Sequence, residues 1–116
     1  MTSTRDTGLR AEAVAAAFLE LKGCSIVARN WRTRLCEIDV VAERSGVVYF
    51  CEVKYRRYDK QGSGLAYITP AKLQQMQFAA EVWVAKHVWE GDYQLCAIEV
   101  SGPSFKITQV ITDLSS

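Results

Sequence analysis

The chain lacks most of what would send a protein into a membrane or out of the cytoplasm. No apolar run approaches the roughly 18 residues of a membrane span, and Met1 to Thr7 are polar, without the apolar core of a signal peptide. These absences predict a soluble, cytoplasmic protein with no membrane partner. Four cysteines, Cys24, Cys36, Cys51 and Cys96, form no C-x-x-C pair and have no histidine beside them, so zinc-ligand spacing is missing. In a reducing compartment they are expected to act as small buried hydrophobes. There is no G-x-x-x-x-G-K-[ST] phosphate loop and no G-x-S-x-G nucleophile elbow. The one histidine, His87, falls on an apolar helix face near the helix end, which suits the core or the helix dipole. Repeats, low-complexity tracts and linkers are missing too.

What is present suits one domain. With 116 residues and 49% apolar composition the chain can bury a core without disulfides or a structural metal, and the expected division is a flexible tail, 1–7, followed by a single domain, 8–116. The net charge of +1 is unevenly spread: Arg29 to Lys60 holds eight basic and five acidic residues. Were Glu37, Asp39 and Glu52 turned toward a bound cation, the excess offered to a polyanion there would be +6.

Ala11, Val14, Ala17, Phe18 and Leu21 recur at helical spacing between Gly8 and Lys22, with Gly23 as the cap and Glu12 on a flank beside Ala16 and Leu19. Three strands follow, Ser25 to Ala28, Ile38 to Ala42 and Val47 to Val53, the last two joined by a Glu43-Arg44-Ser45-Gly46 loop. A polar segment with Gly62 and Gly64 leads to Thr69-Pro70, the start of a second helix with Leu73, Met76, Ala80, Trp83, Val84 and His87 on its apolar face. Two further strands, Tyr93 to Val100 and Phe105 to Ile111, flank a Ser101-Gly102-Pro103 turn, for an order of αβββαββ.

If the hairpin closes about the middle of Glu43 to Gly46, Asp39 faces Glu52 and Glu37 faces Lys54, all on one side of the sheet. Opposed Cβ atoms lie about 4.5–5.5 Å apart, and two carboxylates that close repel unless a cation lies between them. Magnesium meets that need, because it takes a few carboxylate oxygens and keeps waters that a phosphate can displace. A plainer reading is a solvated polar hairpin end in which Lys54 pairs with an acid across the strands. Asp39 and Glu52 interrupt strongly apolar strand sequence, where an acid is costly without a partner or a task.

Asp39 after an apolar strand start, then Glu52-Val53-Lys54 on the next strand, resembles the PD-(D/E)XK motif of restriction-endonuclease-like nucleases. Gly8 with Glu12, Asn30-Trp31-Arg32, Glu37 to Ala42, Phe50 to Lys54 with Arg56, and Ile68-Thr69-Pro70 with Lys72 are together similar to the bacterial YraN family, from Gly8 to about Leu114. That family usually shows glycine at Cys36, valine at Cys51 and aspartate at Gln94; none of these is a proposed ligand, but Cys36 would narrow a phosphate's approach. The resemblance implies an α/β, restriction-endonuclease-like fold, an αβββαβ core with a mixed central sheet flanked by helices.

It also implies a nuclease role. Mg2+ or Mn2+ would sit on Asp39 and Glu52, with Lys54 stabilising charge or orienting water, Glu12 as a further ligand or water-positioning group, and Glu37 behind them. Arg32, Arg34, Arg56 and Arg57, with Arg29 and Lys60, alternate with Trp31, Tyr55 and Tyr58, a composition that can hold phosphates while aromatics stack on unpaired bases. Lys72 adds one more candidate phosphate contact. The expectation is a DNA endonuclease, structure-selective in the manner of a Holliday-junction resolvase. The alternative is a nucleic-acid-binding module of the same fold without catalysis. One chain holds one site, so cutting two strands in concert would need a homodimer.

Overall fold

The computed structural model describes residues 4–57 and 67–114; Tyr58, Lys60 and the Gly62 to Gly64 loop lie outside them. The described elements are α1 (Thr4–Leu21), β1 (Ser25–Arg32), β2 (Glu37–Arg44), β3 (Val47–Arg56), α2 (Pro70–His87), β4 (Asp92–Ser101) and β5 (Lys106–Ile111), the order expected from the sequence. Helix α1 starts one turn ahead of Gly8. It stops at Gly23, whose φ of 93° is open to glycine, while the Cys24 N–H donates to the Leu19 carbonyl at 3.0 Å and closes the last turn.

The buried face of α1 differs from the expected one. Ala11, Ala15, Ala16 and Leu19 are buried and Val14 and Phe18 are packed at the margin, whereas Ala17 is exposed and Leu21 is 87% exposed. An alanine-rich helix is apolar on almost every side, so periodicity alone does not select the contact face. The rotation matters for the site, because Glu12 neighbours Ala15, Ala16 and Leu19 and is carried with them onto the sheet.

The strands lie in the order β1-β2-β3-β4-β5. All neighbours are antiparallel except β3 and β4, whose parallel pairing requires the long crossover that α2 supplies. The β2–β3 turn is tighter than the four-residue loop expected: Ser45 and Gly46, with φ of 53° and 80°, form a two-residue connection of the kind that matches strand twist. Helix α2 begins where Thr69 Oγ1 accepts the Lys72 N–H at 3.1 Å and Pro70 takes the first helical position.

Alternation along the strands sends side chains to two cores. Val40, Ala42, Cys51, Cys96, Ile98 and Val100 pack with α1, and Val41, Val48, Phe50 and Leu95 pack with Met76, Ala79, Ala80 and Trp83 of α2. The central strands are therefore apolar on both faces, as the parallel part of a covered sheet requires. Cys51 and Cys96 are buried and all four cysteines are free thiols. His87 ends α2 on the surface, stacked on Trp83 at 4.1 Å with Nδ1 2.9 Å from the Trp83 carbonyl. No helix of the described residues is long and apolar enough to cross a membrane.

Candidate active site and metal centre

The β2–β3 ladder keeps the expected register from Arg44↔Val47 to Val40↔Cys51 and then stops. Asp39, next along β2, does not face Glu52 across a ladder pair. Its Oδ2 accepts the Val53 N–H at 2.8 Å, so a side chain takes the place of the backbone bond and the strands fork around it. Two facing carboxylates in this setting would repel, and the fork separates them while satisfying an amide. Glu37 and Lys54 are likewise not partnered: Glu37 pairs with Arg32 at 3.5 Å, and the exposed Lys54 holds its ammonium 5.6 Å over the Tyr67 ring. The four residues expected on one face are thus divided between the two sides of the fork.

On the α1 side, Glu12 reaches Asp39. Burial pushes the Glu12 carboxyl above its usual range, against side-chain hydrogen bonds to Asn30 and Asp39. Glu12 Oε1 is itself buried with no hydrogen-bond partner. Asn30 owes its place to a left-handed backbone, φ 53°, in the edge strand β1, a conformation asparagine tolerates better than most residues. Burial first, and then the nearby Glu52 charge, push Asp39 up to about 7.

On the α2 side, Glu52 Oε2 lies 3.0 Å from Lys72 Nζ. Further along this face, the buried Glu99 of β4 lies 2.7 Å from Arg56 Nε, in ion-pair contact, though its Oε2 makes no aligned hydrogen bond. Thr108 donates to Glu99 Oε1 at 2.7 Å. The register shift in β4–β5 at Glu99/Val100 leaves Thr108 out of the ladder and aims its hydroxyl at Glu99. Tyr67 completes this wall; burial and the charges of Glu52, Asp39 and Glu99 push its phenol well up, and its hydroxyl is buried without a partner.

Glu12, Asp39 and Glu52 are thus brought to one fork, with Lys54 and Glu37 at its edges. Arg56 and Lys72, both expected to hold phosphate, are committed to Glu99 and Glu52. Trp31 packs into the α2-side core, and Tyr55 stacks on Phe105 at 4.8 Å and donates to the Gly102 carbonyl, so neither is a free stacking platform. Arg34 is exposed in the turn after β1. Asn30 stands in the family-like run Asn30-Trp31-Arg32 but without an expected role, and Tyr67 and Glu99 were not expected here; only the acid within the apolar run Leu95 to Val100 could have drawn attention to the last.

Among the described residues no three His, Cys, Asp or Glu side chains are arranged as a metal cage. The donor chemistry nevertheless fits a hard divalent cation, because these are carboxylate oxygens, among them a buried Glu12 Oε1 without a partner and an Asp39 pushed up by burial and by the Glu52 charge. An apolar crevice of about 360 Å³ between Phe18, Tyr49 and Cys96 lies apart from these carboxylates and does not belong to the site.

The model of the uncharacterised protein family UPF0102 matches residues 11–106, which takes in every one of these carboxylates. The chain belongs to the UPF0102 family. This bears out the resemblance to the YraN family seen in the sequence. A UPF0102 protein from Rhodopseudomonas palustris is 43% identical over 89 residues, 77% of this chain and 67% of its own length. UPF0102 proteins from Neisseria meningitidis and Neisseria gonorrhoeae are 40% identical over 81 residues and 36% identical over 80 residues, in each case 69% of this chain and 70% of theirs. The mixed, five-stranded sheet with helices on both faces is the α/β architecture expected of a UPF0102 chain with a nuclease-like core.

Proposed function

We propose that this UPF0102 protein is a metal-dependent endonuclease that hydrolyses DNA phosphodiesters at the β2–β3 fork. The observation that carries this reading is the position of Asp39, half-buried where the strands part and flanked by Glu12 from one helix side and Glu52 from the other. Asp39, Glu52 and Glu12 would hold Mg2+ or Mn2+. A cation bound there would supply a Lewis acid for the scissile phosphate and acidify a water. The chain's own residues do the rest. The Val53 N–H fixes the Asp39 carboxylate, Asn30 would orient Glu12, and Lys54, its ammonium over the Tyr67 ring at the edge of the site, would meet developing negative charge. Glu37, held by Arg32, shapes the field from the rim.

The second reading, a nucleic-acid-binding module without catalysis, has one observation in its favour: Lys72 already neutralises Glu52. Cleavage of duplex, flap, branched and single-stranded DNA in Mg2+ or Mn2+ separates the two. The nuclease reading expects products from at least one substrate and their loss in Asp39→Asn and Glu52→Gln. Absence of cleavage, with metal-independent binding that survives Glu52→Gln, would leave the binding module.

A further inference from the structure

We infer that the cleft between the β1–β2 turn and α2 receives one unpaired nucleotide, so that the substrate strand is single-stranded where it meets the site. This rests on the proposed nucleic-acid function and specifies its substrate class. The cleft has a volume of about 620 Å³ and opens beside Glu52 and Lys72, so whatever occupies it touches the carboxylate fork. Its two sides differ from the rest of the charged rim. Leu35, 79% exposed, stands on the turn, and Phe78, 45% exposed, stands on the stripe of α2 that also carries Ala71, Gln74 and Gln75. The exposed leucine and phenylalanine give this cleft an apolar lip on each side, where a planar ligand can pack.

The chemistry of the slot matches a nucleotide in each part. A phenylalanine ring offers a face for a base, and stacking of this kind is tolerant of base identity. The Gln74 and Gln75 amides can donate to and accept from a base edge. Lys72 is within reach of a phosphate once a cation replaces it on Glu52, and Arg34 adds charge beside Leu35. The acids in the slot are balanced, since Glu37 pairs with Arg32 and Glu52 with Lys72, so an anionic strand is not turned away. A base still stacked in a duplex cannot enter such a slot, because reaching it requires leaving the stack. Trp31 and Tyr55, two of the aromatic residues that alternate with arginines in the sequence, are used inside the fold, and Phe78 takes the role expected of them.

Fluorescence anisotropy with the full chain tests this, using labelled single-stranded and duplex oligonucleotides in Ca2+, with the oligonucleotides checked intact on a gel afterwards. Single-strand binding should weaken about tenfold in Phe78→Ala and recover in Phe78→Trp, while duplex binding stays within about twofold. Phe78 is half exposed and alanine is a better helix former, so the variant should fold; circular dichroism checks it. Equal losses for both substrates, no loss, or an effect confined to oligomeric state would overturn the inference, the last by making the slot a protein contact. Cleavage measured in parallel keeps the two ideas separate. Phe78-dependent binding without cleavage sinks the nuclease reading alone, and duplex cleavage indifferent to Phe78 sinks this one alone.

Discussion

Asp39 stays protonated in the fold to a pH far above that of a free carboxyl, and this fixes the sign of a pH effect. Its folded value of about 7 lies above the 3.8 of a free aspartate, so the stability it contributes is complete below about pH 4 and is lost as pH rises through 7. Urea denaturation of the cation-free protein at stepped pH should show stability falling across that window. Asp39→Asn, which can still accept the Val53 N–H, should flatten the slope. Lys72 makes a second prediction at this scale. It neutralises Glu52, so Lys72→Met should tighten Mn2+ binding, read by calorimetry, while weakening nucleic-acid binding at low salt. Arg56→Met leaves Glu99, 4% exposed, without its counter-ion. Breaking a buried pair costs about 3–5 kcal/mol; solvent around the half-exposed Arg56 reduces this, and a loss of about 2 kcal/mol is expected in denaturant unfolding.

The ends of the two helices and the turns between strands come from local chemistry that acts at short range. Thr69 and Pro70 mark the start of α2, and Gly23 the end of α1. Thr69→Ala should cost about 1 kcal/mol, measured as a shift in denaturation midpoint at constant slope. Gly23→Ala should cost about as much through its positive φ; an added Cβ there would lie 3.5 Å from Arg44 Nε, an ordinary contact, so strain in the backbone and not a clash sets the loss. These boundaries were legible because capping and turn chemistry involve neighbours in sequence. The rotation of α1 was not, because Ala11 to Ala17 offer the sheet several equivalent faces. The left-handed Asn30 and the shift that aims Thr108 at Glu99 were hidden too, since each depends on how one strand fits its neighbour.

For the whole molecule, two helices covering opposite faces leave the sheet open where β2 and β3 part, and the acids gather at that opening. A ligand that binds the folded state at a hundred times its Kd adds about 2.7 kcal/mol. Mn2+ at that excess should raise the unfolding temperature of the wild type, have little effect on Asp39→Asn, and lose its effect when chelated. The sequence by itself determined the order of elements, the hairpin register and the carboxylates to watch, because periodicity, caps and turns act over a few residues. Tertiary structure alone decided that Asp39 would bind a backbone amide in a fork instead of facing Glu52. It also decided that Lys72 and Arg56 would be held by acids, and that Phe78 would stand beside the site while Trp31 and Tyr55 went inward. Those outcomes depend on which faces of separate elements meet, and on the cost of bringing like charges together when they do.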